Sequence, residues 1–167
     1  NQLGTASMAA LKTAQIAALT SAQVAGLSNA NLDALTTTQV PSLSTSAIAA
    51  LSTSQVGLMA TTEIAALKTT QVAVMSAVQL QNLSTAQLAA LTSTQVASLS
   101  ATQISSLADA QLAALSTTQA SSVSTAAVAA LTAAQLNQLG TASMAALKTT
   151  QIAALTSAQV AGLSNAN

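Results

Sequence analysis

An apolar residue returns every eight positions along this chain, without one insertion or deletion, and that period restricts the possible folds more than any single residue does. Leu holds the register at 3, 11, 19, 27, 35, 43 and 51 and again at 155 and 163, with Met59, Met75 and Val123 replacing it on the way. Twenty complete octads occupy residues 4–163. With positions numbered 1 to 8 the consensus is Ser/Thr, Thr, any, Gln, Val/Ile/Leu, Ala, Ala, Leu, as in residues 84–91 (STAQLAAL) and 148–155 (KTTQIAAL). A longer period lies over the short one: residues 1–31 return as 137–167 with a single change, Ala14 to Thr150, an offset of 17 octads. Because 17 is a multiple of neither two nor three, a coil of two or three octads meets successive long units out of phase. All octads are therefore expected to be structurally equivalent, related by one screw operation, as in a quasi-one-dimensional solenoid. The pattern is cut in mid-repeat at both ends, so residues 1–167 read as a single continuous octapeptide-repeat solenoid taken from a longer array.

Three conformations can be weighed against the octad. In one continuous helix, eight residues at about 100° each turn the chain about 800°, and the leucine stripe slips about 80° per repeat. Coiled coils absorb periods of about 3.5 to 3.67 residues per turn, and about 4.0 lies outside that range. In one flat strand, positions 5 and 8 fall on opposite faces and the Gln at 4 shares a face with the Leu at 8, so neither face is cleanly apolar. A β-solenoid with sharp corners remains the alternative, since position 5 is Val or Ile in twelve octads. The third conformation is a very short helix in every octad. Position 1 is Ser or Thr in thirteen octads, position 4 is Gln or Glu in fifteen, and ten octads hold both, which is the S/T-x-x-E/Q capping box. Each octad then announces a new helix start, and positions 5 and 8 share one face. One or two turns are not stable alone, so neighbouring octads must hold them. The fold expected is all-α, a solenoid with one very short helix per repeat.

Composition enters as a set of exclusions. The chain has no Phe, Trp, Tyr, His or Cys, and its three Lys balance three acidic residues. Absent Cys removes disulfides and thiolate ligands, and absent His removes the usual general base and the commonest metal ligand. Nucleic acid and anionic lipid need clustered Lys and Arg, whereas Lys12, Lys68 and Lys148 are far apart, so no nucleic-acid partner is expected. Ser, Thr and Gln interrupt every apolar run well short of the ~18 residues that mark a membrane span, so no membrane-spanning helix is expected. Residues 1–4 offer no basic region and no apolar block follows, so no secretory signal is expected there.

The residues that could carry chemistry are few. Asp33, Glu63 and Asp109 are the only carboxylates, they are widely spaced, and all six charges read as solvated exceptions. No Ser or Thr has an evident activating base. Phosphate-binding glycine loops and acidic calcium loops are absent. No catalytic, cofactor-binding or metal-ligating residue is therefore expected, no cofactor, no small-molecule substrate and no enzymatic activity. Ser, Thr and Gln read as caps and inter-coil hydrogen bonds. Met8, Met59, Met75 and Met144 occupy the two core positions and read as gap fillers. The sequon at Asn82 reads as incidental, because Leu83 falls on a core position. Pro41 at position 6 is the one exception to the pattern, expected either to sit within the first turns or to kink its octad.

The octads at 92–99 (TSTQVASL), 84–91 and 156–163 (TSAQVAGL) resemble the "TTAQVAAL" octapeptide arrays of very long, low-complexity secreted bacterial surface proteins, and the resemblance covers the whole chain. It implies an extracellular or cell-surface, repetitive, non-catalytic segment, and it transfers no functional residue.

The function expected is structural: a stiff extracellular fibre, sheath or adhesin stalk, with Leu and Val/Ile inside and Ser, Thr and Gln outside. A neutral exterior removes the repulsion that keeps proteins apart, so self-association into filaments or bundles is expected. The alternative is an ice- or crystalline-surface-binding array, in which regular Thr hydroxyls and Ala methyls match a lattice.

Overall fold

The computed structural model describes residues 4–164. Among them are nineteen α-helices of five or six residues and one short 3-10 helix, one element for each octad, and no strand. The all-α expectation holds and the β-solenoid is set aside.

Why the helices are so short is visible in the octad at 92–99. Thr92 has extended backbone angles (φ −69°, ψ 158°), and its hydroxyl accepts the N–H of Gln95 at 3.2 Å. The Gln95 side-chain oxygen accepts the Thr92 N–H at 2.6 Å, so both halves of the capping box close. The helix Ser93–Ala97 follows, Ser98 is still helical (φ −82°, ψ −10°), and the Leu99 N–H tightens the last turn onto Val96 O at 3.1 Å. Ser100 then returns to extended angles (φ −71°, ψ 164°) and the next box begins. No glycine is needed to stop the helix. The next cap stops it, because a residue cannot be both helical and extended.

Where position 1 offers no acceptor, half of the box survives. Lys12, Lys68, Ala108 and Lys148 each give their N–H to the Gln three residues on, at 2.7 to 3.0 Å. Helix starts are therefore kept even in octads without a hydroxyl. Pro41 forces the larger departure. Its ring nitrogen has no hydrogen to return to residue 37, and the turn tightens into the 3-10 segment Val40–Ser42, closed by Ser42 N–H to Gln39 O at 2.8 Å. The octad keeps its place, with Val40 and Leu43 both buried.

Contacts gather the chain into two compact units, residues 1–83 and 84–167. In the first, the helix Thr53–Leu58 packs between Asn29–Asp33 and Ala77–Gln81. In the second, Thr117–Ser122 packs between Ser93–Ala97 and Gly140–Ala145. Each partner is three octads away, so within each unit three octads make one coil. Three helices form the sides of a coil and the extended residues at positions 8 and 1 form its corners.

The core of each unit is a set of layers built from positions 5 and 8. At position 5, Ile64 and Leu80 in the first unit and Leu88, Ile104 and Leu112 in the second are fully buried. At position 8, Leu83, Leu91, Leu99 and Leu107 are 3% exposed. A side chain of this size contributes about 1.5–3 kcal/mol when removed from water, which offsets the weakness of such a short helix on its own. Met8, Met59, Met75 and Met144 are buried at the same two positions, as expected of gap fillers.

One corner differs from the rest. Leu139 stays helical (φ −61°, ψ −23°) instead of extending, and Gly140 turns the chain with φ 73° before the next helix. Gly4, the same residue of the long repeat, has φ −73° and ψ 160°, the usual extended N-cap angles. Nearly identical sequence thus holds this glycine in two conformations.

Candidate functional site

The chemistry of this molecule is concentrated at its corners, and the Gln at position 4 supplies it. The side-chain oxygen of each Gln is spent on its own N-cap, as described above. That folds the amide back over the corner and aims Nε2 at the corner one coil below. Gln71 Nε2 donates to Val40 O at 3.0 Å and to Leu43 O at 2.8 Å. Gln79 repeats this with Ile48 O and Leu51 O at 3.0 and 2.8 Å, and Gln151 with Ala120 O and Val123 O at 3.0 and 2.7 Å. Gln39, Gln119 and Gln159 reach three carbonyls each, the shortest being Leu11 O, Leu91 O and Leu131 O at 2.7, 2.7 and 2.6 Å. The separations repeat as 28, 30 or 31 residues.

The carbonyls at position 8 are ones a helix cannot satisfy for itself, whereas those at position 5 also accept the N–H of their own octad's position 8, as Val40 O does from Leu43 at 3.1 Å. The last C=O groups of any helix lack an intrahelical donor, and a chain that ends a helix in every octad creates that deficit at every corner. The Gln amide is suited to it because it accepts at one end and donates two hydrogens at the other. Gln71, Gln79, Gln119 and Gln151 are accordingly 1–3% exposed, and no described buried side-chain nitrogen or oxygen lacks a partner. Gln15 and Gln23, in the first coil, keep the cap but are exposed, because no described coil precedes them. The expectation of caps and inter-coil hydrogen bonds is met by one side chain doing both. Its burial was not expected: once a coil lies below, position 4 joins 5 and 8 as a third inward position, and the hydroxyls are left to the exterior.

Six octads hold no Gln at position 4. Ser7, in the first coil, is exposed, whereas Asn31, Ala47, Ala127 and Ser143 are buried. Ser143 Oγ still reaches Leu115 O, 28 residues back, at a long 3.4 Å. The sixth is Glu63, 4% exposed, whose carboxylate accepts the Ala60 N–H at 2.7 Å. The expectation that all charges are solvated fails here, because the coil carries position 4 inward whatever residue fills it. Burial raises the Glu63 pKa above its ordinary value, the Ala60 N–H pulls it back down, and the negative charge of Asp33 pushes it up again. Asp33 and Glu63 look unrelated in sequence, yet they have the spacing of Ala9 and Gln39, a position 6 and a position 4 that hydrogen-bond across one coil. That spacing is the signal that could have paired them, and it is legible only once the coil length is known.

Asp33 and Asp109 are exposed, as are Lys12, Lys68 and Lys148. A shallow hollow lies beside Asp33, lined by Asn29, Ala30, Asp33 and Leu58. Asn82, whose sequon read as incidental, gives its Nδ2 hydrogen to Val78 O at 2.8 Å, and Leu83 is buried. No helix among the described residues is long and apolar enough to cross a membrane. Among the outer hydroxyls, Thr36 pairs with Thr38 at 2.9 Å, Thr92 with Thr94 at 3.0 Å and Ser116 with Thr118 at 3.0 Å.

The family profile described as the ALTTAQ repeat matches residues 1–29, 29–61, 64–101 and 128–165. No curated relative of significant similarity was found.

Proposed function

The chain belongs to the ALTTAQ repeat family, and on that footing we propose that it is a non-catalytic structural element, the stiff shaft of an extracellular fibre, sheath or adhesin stalk that associates with further copies of itself. The observation that carries this reading is the Gln corner. Within each unit a coil closes the carbonyls of the coil before it and offers its own to the next, so growth of such a stack has no built-in limit in length. The amide that recurs most regularly, the Gln at position 4, is spent on this framework. A core of similar layers, with several bonds from Gln amides to carbonyls of the neighbouring coil, resists bending, and that is the property a stalk needs.

The neutral exterior supports association between copies, because nothing repeated along it repels. An extracellular or cell-surface location fits a framework that needs neither a reduced thiol nor a cofactor. The ice- or surface-binding reading draws less support. Several outer hydroxyls at positions 1 and 3 are turned towards each other or towards the cap, and each such bond removes a donor or acceptor from a lattice face.

Electron microscopy of the purified protein tests the proposal. Rods whose length grows with the number of octads, joined end to end or side by side at high concentration, are expected. Compact globular particles at every concentration would overturn it. A thermal-hysteresis measurement separates the second reading, which predicts depression of the freezing point by the same preparation.

A further inference from the structure

Glu63 stands at a corner built for an amide. Gln55 and Gln71, one octad before and after it, donate to carbonyls 28 and 31 residues back. The same separations from residue 63 are those of Leu32 and Leu35, at the end of the helix Asn29–Asp33. An ionised carboxylate can only accept. It takes the Ala60 N–H, as Gln takes its own N-cap, but it has no hydrogen for a carbonyl of the coil below. A protonated carboxyl has one.

We propose that Glu63 is a pH-sensitive clamp between successive coils of the first unit, closing its corner when protonated, as Gln does elsewhere, and loosening that corner when ionised. Three observations converge on it: the position is most often filled by an amide donor, the side chain is 4% exposed, and Asp33 places a second negative charge near it. No other titratable side chain lies on the helix Thr61–Ala66, and Val40–Ser42, which packs against it, carries none. On the helix Asn29–Asp33 below, Asp33 is the one titratable group. Lys68 follows on an exposed corner, and residues 69–108 hold no charge.

The sign follows from the direction of the shift. A carboxyl whose pKa is raised on folding contributes stability that is fully present below its unfolded value, near 4.5, and is lost as the pH rises through the folded value. Acidification from neutrality therefore tightens this corner. The same titration, being confined to a single octad, leaves the Gln-closed corners of the unit unchanged.

Hydrogen exchange and thermal unfolding of the whole chain, wild type beside Glu63→Gln, between about pH 4 and about pH 8, test the clamp. Wild type is expected to lose about 2–4 °C in its unfolding midpoint as the pH rises, with faster exchange at residues 60–67 relative to the intrinsic rate. Glu63→Gln should hold one midpoint throughout, matching wild type at the acid end and exceeding it at neutrality. Asp33→Asn should raise the midpoint at neutrality, by removing one of the two charges, and should keep a shallower slope. Identical pH profiles for wild type and Glu63→Gln, or a wild type that gains stability as the pH rises, overturn the proposal. Neither result bears on whether the array forms a fibre.

Discussion

The amide nitrogen of Gln71 lies 2.8 Å from the carbonyl oxygen of Leu43, 28 residues behind it, while the oxygen of the same amide accepts the N–H of Lys68 at 2.7 Å. One side chain therefore starts its own helix and finishes another that the chain completed a coil earlier. Local and long-range order are coupled at every such corner, which is how helices of little more than one turn persist without long neighbours.

Gln71→Ala removes both functions. The carbonyl of Leu43 loses its amide donor where water is largely excluded, that of Val40 loses one of two donors, and the N–H of Lys68 loses its acceptor at a part-buried corner, so stability is expected to fall by about 1–3 kcal/mol. Ala47 and Ala127 show that the fold tolerates an alanine at this position. Urea unfolding should show a lower midpoint with an unchanged slope, since the surface exposed on unfolding barely changes.

Leu80 and Leu58 offer a test of the layered core against the outer surface. Leu80→Ala empties a fully buried site and should cost about 2–5 kcal/mol. Leu58 is 55% exposed, and Leu58→Ala should stay within about 0.5 kcal/mol. Equal losses in the two variants, read by urea or heat, would contradict the assignment of positions 5 and 8 as the core.

Gly4 and Gly140 occupy equivalent places in the long repeat and should respond differently to one substitution. At Gly140 nothing lies within 4 Å of an added Cβ, so the cost of Gly140→Ser is that of the left-handed backbone, about 1–2 kcal/mol. At Gly4 the backbone is already that of an N-cap, and Gly4→Ser should be neutral or stabilising by a few tenths. The sequence consensus, which has Ser or Thr at this position, predicts a gain at both. Thermal unfolding of the two variants decides between them.

Pro41→Ala restores a hydrogen at the one octad whose element is a 3-10 and not an α-helix. The new N–H is expected to bond to Thr37 O and to convert Val40–Ser42 into the helix found in other octads. Stability should move by no more than about 1 kcal/mol, because the gained bond is offset by a freer unfolded chain. Protection of the amide at residue 41 in hydrogen exchange is the direct reading.

Much of this was legible in the residues themselves. The period of eight, the failure of a continuous helix or a flat strand to accommodate it, and the Ser/Thr to Gln box give one short helix per octad. The same pattern gives the helix starts, and it puts Leu and Val or Ile inside with the four methionines among them. All of these rest on interactions between residues three or four apart, which depend on local sequence alone. The exposure assigned to Glu63 did not survive. Sequence reasoning treats a charge as solvated unless a partner is near, and what buries this one is the stacking of coils, which turns position 4 inward.

The octad by itself, then, determined the repeating unit, the class of fold and which aliphatic side chains line the core. Tertiary structure alone decided that three octads make a coil, that the Gln amide is buried rather than displayed, that Asp33 acts on Glu63 from the coil below, and that Gly140 is left-handed where Gly4 is extended. The division has a physical origin. A corner's rotation is the sum of small dihedral choices at positions 8 and 1 that many residue types permit, and stacking selects among them. Only after that selection do groups far apart along the chain come within hydrogen-bonding reach.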